Sequence, residues 1–589
     1  MSLHLKNNFI AYAILNKSMK FFNYVIGFMG LTAPLMGTPI LSNMAIHHPV
    51  IGTHGMVVSQ EARATGIGID VLNAGGNAID AAIAVGFALA VTHPQAGNLG
   101  GGGFMMIHIA SENKTIALDF RETAPAAAHA DLFLNSDGTV NTHRARFSTQ
   151  SSGVPGSVHG LLTALDHYGT LPRKRIIAPA IRLAKGGFSV SHALAVSLKQ
   201  ARPRLEQDAY TSAIFYPNDR ALKPGDRLSQ AALAQTLSRI SKYGIAGFYS
   251  GKTAQAIDTF MKNTNGLITL ADLRNYQSVV REPLHIQYRG QNIYTMPLPS
   301  SGGLIMAQIL KLIEPFPLKT WGANSAKTIH AMAEAMQLAY ADRAEWLGDS
   351  DFVRVPVQQL LSESYLNRRR KHINLNQHTP SVSTKFGQPY DSDETTHYSV
   401  MDQWGNAVSV TTTLNFSYGS GISIPGTGVL LNNEMDDFSA KPGEPNAYGL
   451  LGNAQNAIAP HKRMLSSMTP TLVLNDTGGV LVTGSPGGSR IISTVTQIIS
   501  NVIDHGMTLA QASAAGRFHH QGWPDELRIE PHSLSPDTQA ILRRMGHTVV
   551  TRPVMGSTQS IMKQEGVLYG VSDTRTPGGQ ALGDLIMIH

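Results

Sequence analysis

The run Asp391-Ser392-Asp393-Glu394-Thr395-Thr396-His397-Tyr398 joins a polar, turn-like stretch to a β-type stretch that begins at Thr395. A hydroxyl is a weak nucleophile and needs a base within hydrogen-bond reach. The chain contains no cysteine, which removes thiol catalysis, disulfides and thiolate zinc sites together. No Gly-x-Ser-x-Gly elbow with a partnering Asp and His stands out. Thr395 can supply its own base if the Glu394–Thr395 peptide bond is cut. The freed α-amine would have a pKa of about 7.7–8.0 and be partly unprotonated at neutral pH. In isolation a Thr-Thr pair is simply a β-branched strand former, so the rest of the chain has to decide.

A second group is Gly484-Ser485-Pro486-Gly487-Gly488-Ser489-Arg490, between a strand and a helix by pattern. Its backbone N–H groups could form an oxyanion hole, or the segment is a tight turn with no ligand. The lysine of a phosphate-binding loop is missing. Asn98-Leu99-Gly100-Gly101-Gly102-Gly103 precedes a strand instead of opening a helix, so close backbone packing explains it better than a dinucleotide site. A third group is polar: Arg121, Asn415, Glu434, Asp436, Asp437, Ser466 and Ser467. Acids with amides can hold an ammonium, and hydroxyls with an arginine can hold a carboxylate. Singly, each reads as a surface or capping residue. Together they suit a zwitterionic ligand such as an α-amino acid.

These residues need elements to position them. Residues 55–58 read as a strand, and 80–91 as a helix buried all round. Phe104–Ile109 and Thr115–Phe120 read as paired strands. Residues 155–345 are mostly helical by pattern, ending in a long helix over 326–347. Residues 372–394 read as an exposed connection. Thr395–Asp402 and Ala407–Asn415 form a hairpin around Gln403-Trp404-Gly405-Asn406, and a second strand pair covers 471–474 and 480–484. A helix opens near Ser489. Strands flanked by helices fit a layered α+β sandwich.

At 589 residues, with 42% hydrophobic and 15% charged side chains, the chain is long enough for a large core. A net charge of +7 spread over that length argues against nucleic acid as a partner. The densest basic run, Arg368-Arg369-Arg370-Lys371, reads as a solvated helix end. No metal site is indicated: the 23 histidines include no His-Glu-x-x-His pattern. Lys17 and Lys20 precede the apolar run 21–31, the shape of a secretory signal. Cleavage after Ala45 fits poorly, because Asn43 is not small. A start at Met19 would make the signal more conventional. An uncleaved anchor and a buried helix are the alternatives.

Several motifs then occur in order. Thr395-Thr396-His397-Tyr398-Ser399 is followed by Thr413-Leu414-Asn415, by 430–438 (Leu-Leu-Asn-Asn-Glu-Met-Asp-Asp-Phe), by Leu465-Ser466-Ser467-Met468 and by 484–490. Upstream lie Gly75-Gly76-Asn77-Ala78-Ile79-Asp80-Ala81-Ala82 and Phe120-Arg121-Glu122-Thr123-Ala124-Pro125. Spanning nearly all of the chain after the leader, this set resembles the γ-glutamyltranspeptidase (glutathione hydrolase) family.

The resemblance implies an N-terminal-nucleophile hydrolase fold, an αββα sandwich of two stacked β-sheets flanked by helices. It implies a precursor that cuts itself between Glu394 and Thr395. After a signal over residues 1–45, a large subunit (46–394) and a small catalytic subunit (395–589) would remain together as a heterodimer, both contributing to one sandwich. Thr395 would attack the γ-amide of glutathione or another γ-glutamyl compound, and water or an amino-acid or dipeptide acceptor would resolve the γ-glutamyl-enzyme. By position, Thr413 would orient the nucleophile, and Gly487 and Gly488 would form the oxyanion hole. Arg121, Ser466 and Ser467 would hold the α-carboxylate, and Asn415, Glu434 and Asp437 the α-ammonium. No cofactor is implied, and the location would be periplasmic or secreted. Residues 439–460 read as a mobile lid, and Tyr448 matches the lid tyrosine of bacterial relatives. The alternatives are a related amidase, such as a cephalosporin acylase or a poly-γ-glutamate hydrolase, and an exported binding protein without catalysis.

Overall fold

The hairpin around Gln403–Asn406 lies in the middle of a seven-stranded sheet in the computed structural model, which describes residues 46–381 and 395–584. Across that sheet the strands run Gln580–Gly583, Met56–Ser59, Thr395–Met401, Ala407–Thr413, Gly102–Ile109, Lys114–Phe120 and Val279–Arg281. Every neighbouring pair is antiparallel. A second antiparallel sheet of seven strands contains Val50–Gly52, Val567–Ser572, Gln559–Gln564, Val480–Thr483, Thr471–Leu474, Gln291–Thr295 and Leu284–Tyr288, in that order.

Both faces of the first sheet are buried, and period-two alternation sorts its side chains. Val57, Met105, Ile107 and Leu118 pack with the helices on one side. Their neighbours Met56, Val58, Phe104, Met106 and Ala117 share a core with Leu472, Leu481 and Ile561 of the second sheet. Polar groups also cross between the sheets. Ser399 Oγ donates to the Gln559 carbonyl at 2.8 Å, and Ser409 Oγ to the Thr483 carbonyl at 3.0 Å.

The helix Ala78–Thr92 lies against the first sheet. Asn77 and Asp80 form a capping box at its start, and all fifteen of its residues are buried. That explains its lack of an amphipathic stripe. Its N-terminus is tied to the hairpin turn, where Asp402 Oδ2 accepts the Ala78 N–H at 2.8 Å. The helices Ser301–Ile313, Ala326–Trp346 and Ile491–Ile503 cover the second sheet. The layers are therefore helix, sheet, sheet, helix within the unit Pro49–His589.

Two expectations are refined. The region 155–345 is mostly helical and ends in the helix Ala326–Trp346, but it also holds the strands Val279–Arg281, Leu284–Tyr288 and Gln291–Thr295. The strand Leu284–Tyr288 buries only Ile286 and Tyr288, an alternation too short to rise above its helical surroundings. The basic run is only partly solvated. Arg370 donates to the Leu312 and Lys311 carbonyls at a helix C-terminus, and Arg369 pairs with Asp342 at 2.9 Å. The leader and residues 382–394, including Glu394, lie outside the described residues. Among the described residues no helix is long and apolar enough to cross a membrane.

Candidate active site

Antiparallel register sets Thr395 directly opposite Thr413. Facing residues of such a pair project to the same side of a sheet. Thr395 Oγ1 lies 3.4 Å from Thr413 Oγ1, which also accepts the Asn415 N–H at 2.9 Å. The first contact is long for an O–H···O bond and of the loose kind common before substrate binds. Asn415 takes φ +76°, a conformation asparagine tolerates better than most residues. Its side-chain amide donates to the Asn433 carbonyl at 2.9 Å. The glycine run behind this strand packs backbone on backbone: a Cβ on Gly101 would fall 2.0 Å from the Thr413 carbonyl oxygen.

His397, two residues beyond Thr395, is fully engaged elsewhere. Its Nδ1 is 2.9 Å from Thr411 Oγ1 and its Nε2 is 3.2 Å from Ser399 Oγ. Burial drives its pKa down to about 3. It is a neutral part of the inter-sheet packing, and neither ring nitrogen turns to the Thr395 hydroxyl.

The short 3₁₀ turn Glu434–Asp437 places Glu434 and Asp437 three residues apart, on one side. Arg121 lies between them, wholly buried. One guanidinium nitrogen bonds Glu434, and the other bonds Asp437 Oδ2 at 2.6 Å. Glu122 Oε2 stands 3.7 Å from the same guanidinium. Burial raises the pKa values of Glu122, Glu434 and Asp437, with Arg121 acting against it. For Arg121, burial alone would lower the pKa, but the three acids more than offset it. One buried cation thus faces three carboxyl groups whose charged forms burial disfavours.

The remaining wall comes from two loops. Ser466 Oγ accepts the Met468 N–H at 3.1 Å, while Ser467 Oγ has no partner among the described residues. Glu434 Oε2 is likewise unpaired. The lid segment is held down at several points. Tyr448 donates its hydroxyl proton to the Asn415 carbonyl at 2.9 Å, and Gln521 Nε2 donates to the Tyr448 carbonyl at 3.1 Å. The Tyr448 ring lies over Gly488, where a Cβ would come within 2.7 Å of it and φ is +54°.

Arg121, Thr395, Thr413, Asn415, Glu434, Asp437, Tyr448, Ser466, Ser467 and Gly488 therefore line one cavity of only about 20 Å³, the size of a single water. Two residues of the sequence reading are not on its wall. Gly487 is the N-cap of the 3₁₀ turn Gly488–Arg490, with φ +134°. Asp436, also buried, turns away from the cavity to Arg146 at 3.0 Å and accepts the Ala447 N–H of the lid at 3.0 Å. Sequence reasoning missed Glu122 as a member of the charge cluster, although its position beside Arg121 was the available signal. Leu450, Met468, Ser489 and Ile491 complete the lining. A wider, mostly apolar cavity of about 430 Å³ adjoins the lid at Leu450 and Leu451.

Two stacked antiparallel sheets between helical layers, with a threonine at the start of a central strand facing the site, define the N-terminal-nucleophile hydrolase class. The solved structure of cephalosporin acylase from Bacillus halodurans superposes with a TM-score of 0.81 at 28% identity, covering 94% of this chain and all of that one. Gamma-glutamyltranspeptidase from Helicobacter pylori gives a TM-score of 0.55 at 41% identity, over 58% of this chain and 97% of its own. The profile of the family described as Gamma-glutamyltranspeptidase matches residues 64–583. A glutathione hydrolase proenzyme of Escherichia coli (strain K12) is 51% identical over 535 residues, 90% of this chain and 92% of the relative. The chain belongs to the gamma-glutamyltranspeptidase family.

Proposed function

We propose that this protein is a γ-glutamyltransferase/glutathione hydrolase that matures by cutting itself before Thr395. The carrying observation is one cavity with Thr395 on its floor and Arg121, Glu434 and Asp437 on its wall. In the uncut chain the Thr395 nitrogen is an amide and no base. The Thr395 hydroxyl attacks the Glu394 carbonyl, the C–N bond breaks, and the nitrogen leaves as an amine carrying the hydroxyl proton. Water then hydrolyses the ester. This yields a large subunit ending at Glu394 and a small one beginning with a free Thr395 amine.

That amine accepts the Thr395 hydroxyl proton as Oγ1 attacks the γ-carbonyl of glutathione or a relative. The Gly487 and Gly488 N–H groups stabilise the oxyanion. The protonated amine returns the proton to the departing nitrogen, and a γ-glutamyl ester remains on Thr395. Water, or the amine of an amino acid or dipeptide, resolves it by the same route in reverse. Thr413 orients the nucleophile through the contact at 3.4 Å.

The head group is recognised by exchanging ion pairs. The substrate carboxylate takes Arg121 with Ser466 and Ser467, and its ammonium takes Asn415, Glu434 and Asp437. The unpaired Ser467 Oγ and Glu434 Oε2 support this reading, since each lacks the partner a zwitterion brings. Tyr448 has to lift to admit the ligand, because the cavity as closed holds about one water. A related acylase is the second reading, favoured by the whole-chain likeness to the Bacillus halodurans enzyme. The charged, tyrosine-capped cavity favours a γ-glutamyl group over an apolar acyl group. An N-terminal signal and export belong to the same proposal.

Denaturing electrophoresis with N-terminal sequencing tests the maturation. Active protein should give two bands, the smaller beginning at Thr395, and Thr395→Ala should stay whole and inactive. Active protein that remains a single band would sink the mechanism. Rates on γ-glutamyl and glutaryl amides then separate the two substrate readings.

A further inference from the structure

A buried histidine cluster stands apart from the site above. His330 and Glu334 are one turn apart on the helix Ala326–Trp346, and His547 reaches them from a loop 217 positions after His330. All three are buried, with one ligand atom from each lying within 4.8 Å of the others. His330 Nε2 is 2.7 Å from the Asn374 carbonyl, which can only accept, so Nε2 carries the proton. That leaves Nδ1 as a bare lone pair, 2.7 Å from His547 Nε2. Outer partners fix a metal-binding imidazole in this manner. Glu334 is also held: His378 Nδ1 lies 2.6 Å from Oε1, and the Thr379 N–H reaches both oxygens at 3.3 Å. His547 Nδ1 has no partner among the described residues.

We propose that His330 Nδ1, His547 Nε2 and the Glu334 carboxylate bind one divalent transition-metal ion of the zinc type. Two imidazoles and a carboxylate suit Zn²⁺ or Co²⁺ better than Mg²⁺ or Ca²⁺, which take oxygen donors. Tetrahedral bonds of about 2.0–2.1 Å set the two nitrogens roughly 3.3 Å apart, so they separate by about 0.6 Å on binding. As the ion takes Nε2, the His547 proton moves from Nε2 to Nδ1, the ring nitrogen without a partner among the described residues, so the imidazole stays neutral. The neighbouring trio His378, His520 and Asp525 is a hydrogen-bonded chain instead. His520 Nδ1 accepts the Gly522 N–H at 3.1 Å, so its Nε2 carries the proton and points at Asp525, 3.1 Å away.

His330 and Glu334 precede Thr395 and His547 follows it. If the chain is cut there, the ion clasps the two subunits together. The clasp rests on the cleavage reading of the previous section; metal binding does not.

Untagged full-length protein, stripped with a chelator and desalted, is titrated with Co²⁺ and then Zn²⁺. One Co²⁺ per chain is expected, with visible absorption bands of a low-coordinate site, a Kd below about 1 µM, and displacement by Zn²⁺. His330→Asn and His547→Asn should each weaken binding at least about 100-fold. Wild-type binding no tighter than about 100 µM, or undiminished binding in both variants, overturns the site. Uncut Thr395→Ala protein should bind the ion like wild type, which keeps this test separate from that of cleavage. In cut protein, Zn²⁺ should raise the urea concentration that parts the two polypeptides, and no change there overturns the clasp.

Discussion

At the residue scale the site is a problem in charge. Arg121 spans Glu434 and Asp437 with two nitrogens and reaches the Met464 carbonyl at 3.3 Å with a third. A lysine is a point charge and cannot hold that fork. Arg121→Lys should therefore raise KM for a γ-glutamyl substrate at least about tenfold, equivalent to about 1.4 kcal/mol of lost binding, with cleavage before Thr395 retained. Glu122 gives a pH prediction. Its carboxyl is pushed above its ordinary range, chiefly by burial and against the pull of Arg121. Such a group favours the folded state while protonated, and that contribution disappears as pH rises through its folded-state pKa. Glu122→Gln should flatten the fall of the thermal midpoint between about pH 4.5 and about 7, and a slope like that of wild type there would show that Glu122 ionises normally.

At the element scale, the turn before the helix Ile491–Ile503 and the lid are fitted to each other. Gly488→Ala places a methyl 2.7 Å from the Tyr448 ring at a positive φ. Loss of about 10²–10³ in kcat is expected, the usual cost of spoiling an oxyanion donor. If the clash with the lid is the larger part, adding Tyr448→Ala should restore part of the rate; if it restores none, the damage is to the turn itself. The strand pair gives a second case. His397 is kept neutral between the sheets, with its pKa lowered to about 3 by burial. The unfolded chain takes up a proton there below about pH 6.5. Stability is thus full above that pH and falls as the solution is acidified, by up to about 1.4 kcal/mol per pH unit. His397→Gln should show an acid slope smaller by one proton in chemical or thermal unfolding.

At the scale of the molecule, the strand that begins at Thr395 is not peripheral. It pairs with Met56–Ser59 on one side and Ala407–Thr413 on the other. The second sheet alternates in the same way, with Gln291–Thr295 from before the junction paired to Thr471–Leu474 from after it. Segments on both sides of Thr395 therefore contribute to both sheets and to one core. Cut protein should elute from gel filtration as one species with both polypeptides present, separating only under denaturing conditions. Dissociation in native buffer would contradict the shared-sheet architecture.

Local pattern was enough for the hairpin, its turn, the buried helix Ala78–Thr92 and the strand pair 471–483, because each announces itself within a few residues. It also gathered Thr395, the glycine turn, Arg121 and the acids into one list. It could not show that Arg121 already pairs with Glu434 and Asp437, that Glu122 joins them, or that Asp436 faces away from the cavity. Those outcomes depend on rotation of the 434–437 turn against a side chain more than three hundred positions earlier. Nor could spacing reveal His330, Glu334 and His547 as neighbours. Residue chemistry and periodicity are written along the chain, whereas the pairing of charges and the size of a closed cavity arise only when distant segments share a buried, low-dielectric interior.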